Sequence, residues 1–285
     1  MLSSEVKISK KEKKCCWGKC LKIFKTKPRV NVINLDGVIG SVNLKQGLTL
    51  YNLNKCLEQA FESKNLKAVI LNINSPGGSP VQSELIAKRI IHLSKKHNIP
   101  VISFVEDMAA SGGYWLACAG EEIIVADNSI LGSLGVIFSG FGLHKAIDRL
   151  GIERRVHTSG KNKSLLDPFA PEKKEDLVII KRVQEDIYQN FKNHVHSMRK
   201  DKLKLEDDEI FTGAVWSGKQ AIEIGLADKV GDIFSEVEKR FGEDVEVKFI
   251  NQEKSWIKRK LSIFLSSLIY QNEITDLLSK KFQLK

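Results

Sequence analysis

Two glycine-containing turns hold the residues of this sequence that are best suited to chemistry. The first is Asn74–Gly78 (NSPGG), and the second is Ala109–Tyr114 (AASGGY). Each turn follows an apolar run and precedes a segment with helical periodicity. Paired glycines leave backbone N–H groups without a side chain in front of them, so the first turn suits the binding of an oxyanion. Ser111, in the second turn, is a candidate nucleophile.

Both turns also have a simpler structural interpretation. Tight strand-to-helix turns are mostly structural, and a serine at the start of a helix is commonly only an N-cap. Gly112 and Gly113 favour the functional interpretation of Ser111, because they cost helix stability and leave the hydroxyl accessible. The two turns also end neighbouring strands of one predicted sheet, which is where α/β proteins place their binding crevice.

A serine nucleophile needs a base, and the histidines are poor candidates for that role. None of them falls in a glycine-flanked loop near a strand end; they are His92, His97, His144, His157, His194 and His196. The loop Ser159–Ser164 (SGKNKS) offers Lys161 and Lys163 instead. A lysine acts as a base only if burial lowers its pKa from about 10.4 toward 7, which is roughly 4–5 kcal/mol of differential interaction. Most lysines are solvated surface charges, so the residues alone leave this choice open.

Short apolar runs alternate with helical periodicity through most of the chain. Strands are predicted at Val30–Leu35, Leu66–Ile73, Pro100–Val105, Glu122–Ala126 and Leu131–Phe138. Helices are predicted over residues 50–61, Ser83–Lys96, Ala109–Ala119, Leu143–Leu150 and Lys173–Lys200, and Ala221–Gly225 is predicted to close a further helix. Regular alternation of this kind, with continuously apolar strands, indicates an α/β fold around a largely parallel sheet.

The charge is concentrated in one segment of the chain. The net charge is +10 over 285 residues, and residues 1–29, with nine Lys, one Arg and two Glu, contribute +8 of it. A nucleic-acid-binding enzyme would carry basic charge on its folded body, so the nearly neutral remainder argues against that class. Residues 7–27 mix lysines with large apolar side chains, which fits either peripheral contact with an anionic membrane surface or a solvated extension.

Three segments follow from these patterns: a polybasic extension at 1–29, a folded domain at 30–250 and an amphipathic helical tail at 251–285. The tail is too short to cross a bilayer and suits packing on a partner subunit or membrane contact. No run of 18 apolar residues is present, and the opening residues lead us to expect no secretory signal peptide. Five cysteines, an odd number, are expected to be free thiols in a reducing compartment. Cys15, Cys16 and Cys20 lack the second half of a zinc site, so no metal is expected.

Four motifs, in order, resemble those of the SppA (signal peptide peptidase A) and SohB serine peptidases. They are Asn74–Gly78, Met108–Tyr114, Gly132–Val136 and Gly160–Phe169, and the resemblance covers about residues 30–240. It implies a fold related to the Clp-type peptidases and crotonases, with repeated ββα units. It also implies a Ser–Lys dyad that needs no metal or cofactor.

The resemblance assigns roles to individual residues. Ser111 would be the nucleophile and Lys163 the general base, with Lys161 as the competing assignment. Ser133 would orient the lysine amine, and the backbone N–H groups of Gly78 and Gly112 would form the oxyanion hole.

The family also implies closed homo-oligomers in which the serine and the lysine come from adjacent protomers. Peptide substrates with apolar residues near the cut, such as remnants of signal peptides, would pair with the backbone of Leu134–Phe138. Members commonly carry an N-terminal transmembrane helix, which residues 1–29 cannot form. We therefore expect a cytoplasmic enzyme that rests peripherally on the inner face of the membrane.

Two other functions remain open at this point. A crotonase-like enzyme acting on acyl-CoA thioesters would share the fold and would not require Ser111 or Lys163. A membrane-surface scaffold could keep the fold without catalysis, although the intact serine, lysine and glycine turns speak against it.

Overall fold

The computed structural model describes residues 27–40 and 47–250. Most of the predicted polybasic extension and the whole predicted C-terminal tail therefore lie outside the described residues. Within these ranges the chain forms eight strands and eight α-helices. The strands are β1 (Arg29–Asp36), β2 (Leu66–Ser75), β3 (Val101–Ala110), β4 (Glu122–Val125), β5 (Ile130–Gly132), β6 (Val215–Ser217), β7 (Lys229–Val230) and β8 (Glu246–Ile250). The helices are α1 (Leu50–Phe61), α2 (Pro80–His97), α3 (Gly112–Ala117), α4 (His144–Arg149), α5 (Lys174–Arg199), α6 (Asp207–Ile210), α7 (Gly218–Glu223) and α8 (Ile233–Phe241).

The strands form one mixed sheet that is almost entirely parallel, as the sequence predicts. Its main order is β6-β5-β3-β2-β1-β8, and β4 pairs with both β3 and β7. The pairing of β5 with β6 is antiparallel and the other pairings are parallel. Parallel strands have their carboxyl ends at the same edge, so the turns that follow β2 and β3 lie beside each other.

Helices cover both faces of this sheet. On one face the buried sides of α1, α2 and α3 form the larger core, which includes Leu57, Ile90 and Tyr114. On the other face α8 packs through Val237 onto a smaller cluster from β1 to β4. Continuous burial on both faces explains why β2 is apolar along most of its length rather than alternating.

The residues at its two ends determine where α2 begins and ends. Ser79 is the N-cap of α2, where its side chain accepts a hydrogen bond from the Gln82 N–H, and Pro80 occupies the first turn. The helix ends at Asn98, which adopts a left-handed conformation. The observed helix thus begins three residues before the predicted Ser83.

Two predicted elements differ from the structure beside the second turn. The helix predicted from Ala109 begins at Gly112, because residues 108–110 extend β3 by pairing with residues 130–132 of β5. The strand predicted over Leu131–Phe138 stops at Gly132. Gly132 and Ser133 have φ values of +114° and +52°, which turn the chain out of the sheet.

Residues 136–173, which we call the arm, are mostly exposed. They contain α4, which has no buried residue, and a long irregular connection to α5. Large apolar side chains on the arm face solvent, and Ile137, Phe141 and Leu150 are 86%, 84% and 72% exposed. No helix among the described residues is long and apolar enough to cross a membrane.

Candidate active site

Ser111 stands at the junction of β3 and α3 in a strained backbone conformation. Its φ and ψ are +52° and −119°, which for a residue with a side chain costs on the order of 1–3 kcal/mol. Its N–H donates to the Gly132 carbonyl of β5 over 2.7 Å, which fixes this geometry. The Ser111 side chain makes no capping hydrogen bond, so the N-cap interpretation does not account for it. Among the described residues nothing engages its hydroxyl, which is partly exposed.

The first glycine turn lies directly against Ser111. A Cβ atom placed on Gly77 would be 2.9 Å from the Ser111 Cβ and 2.7 Å from the Gly112 nitrogen. A Cβ placed on Gly112 would be 3.4 Å from the Gly78 nitrogen. The amide groups of Gly78 and Gly112 therefore lie close together beside the serine. Neither N–H donates a hydrogen bond to another described residue. Two free donors at the start of a helix suit the stabilisation of an oxyanion.

A cavity of about 410 Å³ brings four of the five predicted site residues together. Ser111, Ser133, Gly78 and Gly112 line it, together with Ile187 and Phe191 of α5. Like Ser111, Ser133 has a left-handed backbone, held by a 2.6 Å hydrogen bond from its N–H to the Ala214 carbonyl. Among the described residues that line this cavity, none is an Asp, Glu, His, Lys or Arg.

Lys163, the fifth predicted residue, does not line this cavity. It lies in a turn of the arm, where its backbone N–H donates to the Gly160 carbonyl over 3.1 Å, and its side chain is exposed. Lys161 is exposed in the same turn. Within the described chain, then, neither lysine is placed beside the serine.

Sequence reasoning missed the aromatic wall of the cavity. Trp115 lies one helical turn after Ser111 and stacks on Phe191, with centroids 4.9 Å apart and planes 17° apart. His194 also stacks on Trp115, and its Nε2 is 3.0 Å from the Trp115 carbonyl oxygen. Burial lowers the pKa of His194, against the opposing effect of that hydrogen bond. The sequence signal that could have predicted this wall is the spacing of Ile187, Phe191 and His194, which places all three on one side of a helix.

A buried ionic network joins the end of α5 to the segment before β7. Arg199, which is 2% exposed, donates to both carboxylate oxygens of Asp228 and twice to the Gly225 carbonyl. Burial alone would raise the pKa of Asp228, but hydrogen bonds from Arg199, Lys202 and the Ile123 N–H outweigh it and lower that pKa. Burial raises the pKa of Cys118 to about 12. The thiol is therefore a neutral packing group.

A larger cavity of about 860 Å³ lies between the arm and α5. Its walls include Phe138, Phe141 and Leu177, and Ser111 is not among its lining residues. Because it contains neither the free hydroxyl nor the two free amides, the chemistry belongs to the smaller cavity.

An α/β sheet that presents a free serine hydroxyl beside two backbone N–H donors has the arrangement of a serine hydrolase. The sequence profile of peptidase family S49 matches residues 94–248, and that of the NfeD1b N-terminal domain matches residues 38–145. The chain belongs to peptidase family S49. The predicted resemblance to SppA and SohB peptidases is confirmed.

Individual relatives differ widely in length and name. The chain is 43% identical over 234 residues to a Brucella melitensis protein named Na(+)/H(+) antiporter NhaA, covering 81% of this chain and 32% of that protein. It is 31% identical to a putative signal peptide peptidase SppA of Enterococcus faecium, covering 70% of this chain and 59% of the relative. The chain thus spans between 32% and 59% of the length of these two relatives. A solved mutant of the 1510-N membrane-bound stomatin-specific protease is 18% identical with a TM-score of 0.43, covering 78% of this chain and 97% of that one.

Proposed function

We propose that this chain is a serine endopeptidase that cleaves apolar peptides through a Ser–Lys dyad. The observation that carries the proposal is the Ser111 hydroxyl, which is free of hydrogen bonds to described residues and lies beside the amides of Gly78 and Gly112. A structural N-cap would have its hydroxyl bonded to the helix, as Thr49 and Ser79 do at α1 and α2.

The proposed reaction has two steps. The neutral Lys163 amine takes the proton of Ser111 as its Oγ attacks the peptide carbonyl, and the N–H groups of Gly78 and Gly112 bind the oxyanion that forms. Lys163 then donates the proton to the leaving amine. A water molecule, activated by the same lysine, hydrolyses the acyl-enzyme and restores the serine. Ser133, on the cavity wall, would orient the amine by accepting a hydrogen bond from it.

The lining of the cavity suits a lysine base, and none of its described residues is a histidine. An amine enclosed by these described residues would lose water without gaining a carboxylate partner, and desolvation of that kind favours the neutral form. His194 of α5, which stacks on Trp115, directs its Nε2 to the Trp115 carbonyl. The imidazole of His194 is therefore hydrogen-bonded to Trp115 and not to Ser111.

We propose that the lysine comes from the arm of a second copy of this chain. The arm has solvent-facing apolar side chains of a kind that monomers seldom expose together, including Ile137, Phe141 and Leu150. Docking of these side chains on a neighbouring protomer would bury them, and the same movement would bring Lys163 to the other copy's serine. The site would then be complete only in the homo-oligomer.

The substrate would bind as an extended chain. Beyond Ser133 the backbone of residues 136–138 makes no hydrogen bond with other described residues, so its groups are free to pair with a peptide. Trp115, Ile187 and Phe191 form an apolar wall next to Ser111, which favours an apolar residue near the cut. Remnants of signal peptides have that composition, and one relative carries the name of signal peptide peptidase.

A cleavage assay tests this proposal. The purified chain is incubated with a peptide that has an apolar, signal-like core, beside Ser111→Ala, Lys163→Ala and Lys161→Ala variants. Loss of cleavage in the first two and retention in the third is the expected result. Cleavage that survives Ser111→Ala refutes the mechanism, and turnover of an acyl-CoA thioester without peptide cleavage would favour the crotonase-like alternative.

A mixing experiment tests the shared site. Ser111→Ala and Lys163→Ala chains are each inactive by the proposal, but co-assembled oligomers would contain some sites with an intact serine and an intact lysine. Random assembly in equal amounts predicts recovery of about a quarter of wild-type activity. No recovery in verified mixed oligomers would place both residues of a site in one protomer.

A further inference from the structure

The first turn of α2 touches the first turn of α3 through Ser83, which lies against Gly112 of the cavity lining. This side chain is fully buried, and its Oγ donates to the Ser79 carbonyl over 3.0 Å. The Ser83 backbone N–H donates to the same carbonyl, also over 3.0 Å. The backbone bond is the ordinary helical one, and the Oγ bond to the same carbonyl, together with complete burial, fixes the rotamer of Ser83 and the position of its oxygen atom.

That oxygen atom lies against Gly112. A Cβ atom placed on Gly112 would be only 2.4 Å from the Ser83 Oγ and 3.4 Å from the Gly78 nitrogen. The same side of Gly112 therefore faces both the Ser83 hydroxyl and the Gly78 amide, which is the second donor of the proposed oxyanion hole.

The Gly78 side of the hole is fixed independently of Ser83. Ile39 donates its N–H to the Gly77 carbonyl over 2.9 Å and accepts the Ser79 N–H over 2.8 Å. These bonds hold the turn on either side of Gly78 to the segment that follows β1. The turn also contacts the start of α3 directly through Gly77. Beside that contact, neither Gly78 nor Gly112 has a side chain that could act as a spacer between the turn and α3.

We propose that Ser83 is a positioning residue that sets the distance between the Gly78 and Gly112 amides. This inference rests on the proposed oxyanion role of those two amides. The hydroxyl acts as a spacer of one atom: it is tied to the Ser79 carbonyl on the α2 side and is in contact with the Gly112 Cα on the α3 side. Removal of the oxygen lets the two helix ends approach, and a larger atom drives them apart.

The two kinetic parameters respond differently if this is correct. The amides bind the oxyanion in the transition state, so a change in their separation lowers kcat while KM for the peptide stays nearly the same. Loss of a whole oxyanion donor costs about 10²–10³ in kcat, and a displaced donor is expected to cost a fraction of that, roughly tenfold for Ser83→Ala. Ser83→Cys, with a larger atom at the same place, is expected to lower kcat as well.

Ser103 provides a matched control at the other end of α3. It is also fully buried, its Oγ donates to the Ala117 carbonyl over 2.8 Å, and it lies 2.4 Å from a Cβ placed on Gly120. Ser103→Ala therefore removes the same kind of hydrogen bond and the same kind of glycine contact, away from Ser111. Its effect measures what the loss of such a serine does to packing alone.

The experiment compares wild type, Ser83→Ala, Ser83→Cys and Ser103→Ala on one peptide. Active sites are counted by titration with a fluorophosphonate, so that kcat is calculated per reactive site and is not lowered by unfolded protein. Affinity for a peptide aldehyde, which forms a tetrahedral adduct with the serine, is measured beside affinity for an uncleaved competitor peptide. We expect kcat and aldehyde affinity to fall by the same factor in both Ser83 variants, while the competitor binds as in wild type.

Two results would overturn the inference. One is a kcat per titrated site in Ser83→Ala equal to that in Ser103→Ala. The other is a parallel loss of aldehyde and competitor affinity, which would indicate general damage to the cavity. Failure of the proposed function gives a different result: wild type would not hydrolyse the peptide, or hydrolysis would survive in a Ser111→Ala variant measured in the same assay.

Discussion

The close approach of Gly77 to the nucleophile gives a sharp test of the site geometry. Its φ is +94°, and a Cβ atom added there would lie 2.7 Å from the Gly112 nitrogen and from the Ala110 carbonyl oxygen. Ordinary contact begins near 3.4 Å, so Gly77→Ala would displace the start of α3 by roughly 0.3–0.7 Å. Misplacement on this scale is expected to lower kcat by about 10–100-fold, since reacting groups tolerate little error in position.

A Gly242→Ala variant is the control that distinguishes displacement of α3 from strain in the backbone. Gly242 has a φ of +87°, caps α8 far along the chain, and has no atom within 4 Å of an added Cβ. A positive φ of this kind costs an alanine on the order of 1–3 kcal/mol, so Gly77→Ala and Gly242→Ala should both lower stability by about this much. Only Gly77→Ala should lower kcat.

The assay is peptide cleavage normalised to titrated sites, with urea unfolding of the same samples. Equal kcat values in the two variants would refute the reasoning, because the contact between Gly77 and Ser111 would then have no effect on the reaction. A large loss of kcat in Gly242→Ala would refute it equally, since the loss would follow from strain alone.

Three further predictions concern stability, specificity and membrane contact. Arg199→Met leaves the Asp228 carboxylate without its main partner and should cost about 3–5 kcal/mol of unfolding free energy in urea. Because the folded pKa of Asp228 is lowered, its contribution is complete above the unfolded pKa of about 3.9 and is lost as pH falls through the folded value. The difference between variant and wild type should therefore shrink in acid, and a constant difference would contradict this. Phe191→Ala should open the cavity wall and shift cleavage toward peptides with larger apolar residues, measured as kcat/KM ratios; unchanged ratios would exclude it from specificity. Deletion of residues 7–27 should abolish sedimentation with vesicles rich in anionic lipid, and retention would show that this segment is not the contact.

Local sequence patterns were sufficient to predict the elements that carry the site. The helical spacing in residues 50–61 and the apolar run of β2 depend on near neighbours, and both appear with nearly the predicted bounds. The parallel sheet follows from their alternation. The position of Ser111 at the junction of a strand and a helix follows from the same patterns.

Features that depend on distant contacts were not predictable in this way. The early end of β5 depends on the left-handed conformation of Ser133, which is held by the Ala214 carbonyl some eighty residues away. The wall formed by Trp115 and Phe191 joins two helices that periodicity describes separately. The buried pair of Arg199 and Asp228 likewise joins the end of α5 to the turn before β7. Such contacts are decided by tertiary packing.

The most direct test of the central claim is mass spectrometric mapping of the adduct formed by a peptidyl phosphonate. Wild type, Lys161→Ala and Lys163→Ala are treated for the same time, and the modified residue and its occupancy are measured. The account predicts modification of Ser111 in wild type and in Lys161→Ala, with little or none in Lys163→Ala. An adduct on another residue, or equal labelling of Ser111 without Lys163, would contradict it.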